Sequence, residues 1–295
     1  MITGATGYIG THLAAAAKSR GHRLTFLART PDFDKDQPGV CQFKWIFGEP
    51  PPAKAFAQNG EYGPVDSLIH LAHQWQSSRP EPEDENLTGT SLLLQAARTA
   101  GISRIVYGST VSARQNALNR YGRIKWAIEQ LLESPSEVSA RIGLVYGGRE
   151  MSQWGVLSDM VRQAPVLPVP GASTMIQPIH IDDVCTGLLA LAEGPAHEKM
   201  VYGLAAADSI SFGRFLQQVA QHRHGRKLSV VPVPIWMALM GAELTKLLPF
   251  IPTVDRERIL GVASIQTIET EADIRELGIL PDDLAKNLTA EVTSI

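Results

Sequence analysis

Tyr121 and Lys125 stand four residues apart in the run Tyr-Gly-Arg-Ile-Lys, a spacing that puts both side chains on one face of a helix. An ordinary tyrosine, with a pKa of about 10, is a poor base at neutral pH. A neighbouring ammonium favours the phenolate and brings the pair into the range of general acid–base chemistry. Of the six tyrosines in the chain, only Tyr121 has a lysine four positions on. Upstream, Val106-Tyr107-Gly108-Ser109-Thr110 reads as the end of a strand. A hydroxyl at the carboxyl end of a parallel strand points into the crevice where open sheets bind ligands. Thr110 or Ser109 could donate a hydrogen bond to a substrate carbonyl from there.

A second constellation opens the chain. Gly4-Ala5-Thr6-Gly7-Tyr8-Ile9-Gly10 places glycines at 4, 7 and 10, between a strand-like and a helix-like stretch. Such glycines allow a tight turn, close approach of backbone to phosphate, and close packing of helix on strand. A helix starting near Tyr8 aims its free N–H groups and positive dipole end at the same point. The loop therefore reads as the pyrophosphate cradle of a nicotinamide dinucleotide. The second strand ends Phe26-Leu27-Ala28-Arg29-Thr30, without the carboxylate that bonds the ribose 2′-hydroxyl of NAD. Arg29 could instead fork onto a 2′-phosphate, so the expected cofactor is NADP rather than NAD.

These groups need a scaffold that brings a glycine turn, a strand end and a helix face together. Strands are predicted at 2–3, 23–28, 43–47, 65–72, 102–109 and 138–143, and helices at 8–20, 86–100 and 121–132. Alternating helices and continuously apolar strands predict a parallel sheet covered on both faces. Right-handed crossovers make it doubly wound, a Rossmann-type α/β fold. Only Met1, Ile2 and Thr3 precede the loop, so the first strand reads as clipped or as continuing upstream. Past Gly147 the pattern loosens around Pro165, Pro168, Pro170, Gly171, Pro232 and Pro234, with helices expected at 151–163, 182–193, 212–222 and 235–248. The predicted division is a dinucleotide-binding domain over 1–147, to which 174–200 returns, and a smaller, mostly C-terminal substrate-binding lobe over 148–295.

The 295 residues are 44% hydrophobic and 19% charged, enough for a sizeable core. A net charge of −3 without a basic stripe argues against nucleic acid as a partner. Cys41 and Cys185 have no metal-type spacing, and free thiols in a reducing compartment are expected. The start lacks a basic region followed by an apolar run, so a cytoplasmic protein is expected. The most membrane-like stretch, 235–250, contains Glu243, Lys246 and Pro249 and is too short and charged to span a bilayer. It is expected to be an amphipathic helix covering a core.

In order and spacing these motifs resemble the extended short-chain dehydrogenase/reductases of the NAD(P)-dependent epimerase/dehydratase family. TGATGYIGTHL is similar to the family's cofactor loop and DSLIHLA to its fourth strand. NLTGTSLLLQAARTAGISRIVYGST resembles the Asn-bearing helix and the strand with the catalytic hydroxyl. YGRIK matches the catalytic Tyr and Lys, RIGLVYG the next strand, and PIHIDDV a later segment. The resemblance implies that Tyr121 is the general acid/base and that Lys125 bonds the nicotinamide ribose and lowers the Tyr121 pKa. It implies that Thr110 orients the substrate oxygen. Leu71, Ala72 and Asn86 would line the cofactor beside Gly4, Thr6, Gly7, Tyr8, Ile9 and Gly10. Hydride would pass between nicotinamide C4 and a carbonyl or carbinol carbon beside Tyr121. The resemblance also suggests a homodimer through helices of the nucleotide domain.

Two departures bear on the small-molecule substrate. Nucleotide-sugar members typically carry Asn where this chain has Leu144, and Arg-Asp where it has Ile176-Gln177. Neither Leu nor Ile can hydrogen-bond a phosphate. His73, Gln74 and Trp75 follow the fourth strand, as substrate contacts or as an ordinary loop. His180, Asp182 and Asp183 are read structurally, the Asp pair capping a helix, and no metal site is expected. The leading reading is an NADP-dependent oxidoreductase acting on a carbonyl or alcohol. Its rivals are a nucleotide-sugar epimerase, dehydratase or reductase, and a non-catalytic NADPH-binding accessory or sensor protein.

Overall fold

Seven parallel strands form the central sheet: β1 (Ile2–Thr3), β2 (Leu24–Ala28), β3 (Val40–Lys44), β4 (Ser67–His70), β5 (Arg104–Thr110), β6 (Glu137–Ile142) and β7 (Val201–Leu204). Their order across the sheet is β7-β6-β5-β4-β1-β2-β3. The computed structural model describes residues 1–31, 38–57, 64–75, 79–149, 151–194, 198–245, 256–280 and 283–293. The helices are α1 (Tyr8–Ser19), α2 (Glu85–Thr99), α3 (Arg120–Glu129), α4 (Ser152–Gln163) and α5 (Ile181–Glu193). They continue with α6 (Phe212–Gln218), α7 (Ile235–Thr245), α8 (Arg256–Ala263), α9 (Glu271–Glu276) and α10 (Leu284–Thr293). This is the doubly wound Rossmann-type α/β fold, and strand order reverses between β1 and β4, the point where such sheets open a ligand crevice.

Side-chain alternation explains how the sheet is covered. On β5, Ile105 and Tyr107 pack with Leu93, Leu94, Ala97, Ile124 and Ile128 of α2 and α3. Val106 points the other way, into a core with Leu13 and Ala17 of α1 and Val184, Leu188 and Leu191 of α5. β1 has only two residues, yet it is paired on both sides, Ile2 with Phe26 and Ile69, Thr3 with Leu27 and His70. Edge strand β7, ending at Leu204, completes the sheet beside β6. A third core holds Trp154, Val161, Phe215, Leu216 and Leu288. Two further strand pairings join 166–170 to 229–233 and 175–176 to 210–211.

Some expectations shift. The strand expected at 43–47 runs from Val40 to Lys44, and α3 ends at Glu129 rather than at Leu132. The helix expected over 212–222 becomes α6 followed by a π-helical turn, Val219–Arg223. α7 is not amphipathic: Trp236, Met237 and Met240 are exposed and Ala242 is buried. Its apolar residues run round the whole helix, so one buried stripe cannot hide them. The expected continuation over 246–250 lies outside the described residues. Among the described residues, no helix is long and apolar enough to cross a membrane. Both cysteines are free thiols, Cys185 being buried.

Candidate active site

The glycine loop leaves β1 and returns into α1 with almost no room to spare. Gly4 has φ +71°, and a Cβ there would lie 2.7 Å from the Ala72 N. A Cβ on Gly10 would lie 2.1 Å from the Gly4 carbonyl oxygen. The glycines at 4 and 10 are thus demanded by backbone-to-backbone contact. Thr6 and Gly7 are exposed, and α1 has Gly7 as its N-cap, with no side-chain cap and no acidic residue in its first turn. An uncapped helix N-terminus above bare backbone fits the pyrophosphate of a dinucleotide, which these residues could hold. Leu71 and Ala72 lie against Gly4, at the crevice. Arg29 is exposed just past the end of β2.

Behind the loop, buried polar groups lock its supports. Thr3 Oγ1 is hydrogen-bonded to His70 Nδ1 at 2.6 Å and accepts from the Ala72 N–H at 3.2 Å. His70 Nε2 bonds Thr90 Oγ1 at 2.9 Å, tying β1, β4 and α2 together. Burial lowers the His70 pKa to about 3, so the ring stays neutral. The Tyr8 hydroxyl donates to the Gly147 carbonyl at 2.6 Å, joining the first turn of α1 to the segment after β6, and burial drives its pKa well up.

Tyr121 and Lys125 lie on α3, whose start is fixed by Arg120. Its guanidinium pairs with the buried Asp84, the N-cap of α2, at 2.5 Å, and its N–H donates to Glu257 of α8 at 2.9 Å. The two helices that frame the crevice are thereby joined at their N-termini. Lys125 is buried under the phenol: Nζ is 5.6 Å from the Tyr121 ring centroid and 4.6 Å from that of Tyr107. Nζ donates to the Gly108 carbonyl at 2.6 Å. Burial lowers the Lys125 pKa to about 7, opposed by the Glu129 charge. Tyr121 is pushed up to about 12 by burial. The expected lowering of the phenol is therefore reversed here, because desolvation of the phenolate outweighs an ammonium that is directed to Gly108.

The two hydroxyl candidates separate cleanly. Ser109 donates to Glu129 Oε1 at 2.6 Å and is buried, so its hydroxyl is committed to the sheet–helix interface. Thr110 is half-buried at the strand end, its Oγ1 accepting from the Ser112 N–H at 3.3 Å. Glu129 also accepts from Ser139 at 2.8 Å and from Arg141, Nη2 at 2.6 Å and Nε at 3.0 Å. Sequence reading missed this carboxylate, although it stands four residues beyond Lys125 on the same helix face. Glu129→Ala would strand the Arg141 guanidinium and two serine hydroxyls. A loss of about 3 kcal/mol is expected in urea denaturation, the low end for breaking a buried pair because Arg141 keeps some solvent contact. A loss below about 1 kcal/mol would show the cluster to be solvated.

Asn86 braces the loop that follows β4. It is buried, its Oδ1 accepts from the Gln74 N–H at 2.6 Å, and its Nδ2 donates to Gln74 O at 3.0 Å and Asp84 at 2.8 Å. Its polar atoms are used up in fixing the loop after β4. That loop carries His73 and Trp75 onto Tyr121: the Trp75 ring stacks at 5.0 Å and 17°, and His73 meets the phenol edge-on at 5.0 Å and 90°. Burial lowers His73 to about 2, keeping it neutral. His180, not the Asp pair, supplies the α5 cap: its Nδ1 accepts from the Asp182 N–H at 3.3 Å, while Asp182 and Asp183 occupy the first turn. Its Nε2 lies 3.0 Å from Glu291 of α10. Ile176 is buried and Leu144 half-buried, and Gln177 spends its amide on the backbone of Ala206 and Ile268.

Comparison with known proteins agrees with the fold and shows the family. A model of the NAD dependent epimerase/dehydratase family matches residues 1–203. A ceramide reductase of Caulobacter vibrioides is 26% identical over 239 residues, 79% of this chain and 73% of that one. A 4-hydroxy-2-methyl-3-oxo-4-farnesyl-3,4-dihydroquinoline-1-oxide ketoreductase of Stigmatella aurantiaca is 25% identical over 272 residues, 82% of this chain and 78% of its own. The crystal structure of the human epimerase family protein SDR39U1 with NADPH superimposes with a TM-score of 0.73 at 20% identity. It covers 100% of this chain and 99% of that one.

Proposed function

The chain belongs to the NAD dependent epimerase/dehydratase family of NAD(P)-dependent enzymes, and we propose that within it this protein is an NADP-dependent carbonyl reductase with Tyr121 as acid/base. The observation that carries the reading is the placing of the Tyr121 ring over buried Lys125, whose Nζ bonds the Gly108 carbonyl near the carboxyl end of β5, the strand that ends at Thr110. NADPH, when bound, supplies the hydride that reduces the carbonyl carbon. Tyr121 gives its proton to the carbonyl oxygen as charge develops there, and the product is an alcohol. The Lys125 ammonium stabilises the phenolate left behind, and the Thr110 hydroxyl holds the oxygen in line. Gly4, Thr6, Gly7, Tyr8, Ile9 and Gly10 hold the pyrophosphate, with Leu71 and Ala72 beside them. The apolar Leu144 and Ile176 support reduction of a carbonyl over chemistry on a nucleotide sugar. Two relatives are reductases by name, of a ceramide and of a quinoline N-oxide ketone.

Arg29 favours NADPH over NADH. A ligand that binds only the native state at about 100 times its Kd adds about 2.7 kcal/mol of stability. NADPH is therefore expected to raise the melting temperature by several degrees more than NADH, and Arg29→Asp to erase or reverse the difference. Equal shifts with the two cofactors would remove Arg29 from the choice. In the same fluorimetric assay UDP-glucose should leave the melting temperature in place. A shift as large as that of NADPH would favour the nucleotide-sugar reading.

A further inference from the structure

Trp75 is 68% exposed, at the lip of the crevice. A large apolar ring in that position needs a reason, since an exposed indole gains little from burial. It is not carried on a loose turn: the residue before it has both its N–H and its carbonyl held by buried Asn86. The indole lies nearly parallel to the Tyr121 phenol, and His73 stands perpendicular to both, 4.9 Å from Trp75. Since His73 is neutral, the corner beside the Tyr121 phenol is walled by uncharged rings.

The charges around this corner are already engaged. Arg120 pairs with Asp84 and the Arg79 carbonyl, and Arg123 with Glu81 and the carbonyls of Ala117 and Leu118. Arg114 donates to the Ser264 carbonyl at 2.8 Å. Among the described residues of this corner, the guanidiniums face protein oxygens rather than the crevice. The corner suits a flat, uncharged group and offers little to a diphosphate.

We propose that Trp75 is the specificity-determining residue of the site, and that the substrate is a carbonyl compound with an aromatic ring next to its carbonyl, stacked on the indole. This rests on the reading of the site as a carbonyl reductase. The test compares acetophenone with cyclohexyl methyl ketone, which match in size but differ in flatness. Steady-state turnover with NADPH and saturation-transfer NMR binding with NADP⁺ are measured on the wild type, Trp75→Leu and Trp75→Phe. The wild type should prefer acetophenone about fivefold in kcat/KM, the scale of one stacked aromatic pair. Trp75→Leu should bring the ratio near one and Trp75→Phe should restore most of it, with NMR binding following the same order. A ratio that Trp75→Leu leaves unchanged, with both ketones reduced, would overturn the proposal and leave the reductase reading standing. Binding preference abolished by Trp75→Leu, with neither ketone reduced, would uphold the stacking wall and count against reduction. No preference in NMR binding would overturn the wall whatever the turnover.

Discussion

Tyr121→Phe is expected to lower kcat for carbonyl reduction by about 10³-fold while NADPH still binds, since general acid catalysis contributes roughly 10²- to 10⁴-fold. The substitution is narrow. Phenylalanine keeps the ring that stacks on Trp75 and meets His73 edge-on, so the shape of the corner survives and only the hydroxyl is lost. The control is the NADPH-induced rise in melting temperature, which depends on the glycine loop and should persist. Turnover within threefold of the wild type would remove Tyr121 from the mechanism. The phenol's displacement also makes the test directional. With a pKa pushed up to about 12, Tyr121 holds its proton across neutral pH and is ready to act as an acid. Alcohol oxidation needs the phenolate, so it should gain more than reduction does as pH rises.

The parts of this site legible in the sequence are those whose geometry is local. The glycines at 4, 7 and 10 announce a backbone path, and the contacts at Gly4 and Gly10 are made within that path or against its neighbouring strand. Tyr121 and Lys125 are legible because four residues make one helical turn. Ser109 and Thr110 could not be ranked so directly, because the answer depends on which face of β5 meets α3. Alternation held the clue: Ser109 shares parity with Ile105 and Tyr107, which pack on α2 and α3, and so it turns to Glu129. The bracing role of Asn86 depends on a loop 12 residues upstream in the chain, and that of Arg120 on Asp84, 36 residues away. Local spacing carries no trace of such pairs. Nor does it weigh burial against charge, which is why the phenol was expected to move down and instead moves up.

Lys125→Met is expected to abolish most turnover and yet to make the protein more stable. Lys125 is 3% exposed, and burial lowers its pKa from 10.5 to about 7. A lowered lysine pKa means that the unfolded chain binds the proton more tightly than the folded one. The native state is then penalised wherever the unfolded lysine is charged, in full below about pH 7 and not at all above about pH 10.5. The full penalty is on the order of 5 kcal/mol, partly offset by the bond to Gly108 and the ring contacts that methionine would forgo. Scanning fluorimetry should find Lys125→Met melting several degrees above the wild type at pH 6, with the gap narrowing steadily towards pH 9. A gap that stays constant or widens with pH would mean that Lys125 titrates normally and is not held against its solvation. Turnover should meanwhile fall by about 10²-fold or more, because no cation remains to stabilise the Tyr121 phenolate. A buried ammonium that costs the fold stability and sits beneath Tyr121 is what the proposed proton transfer requires, and packing alone would have chosen methionine there.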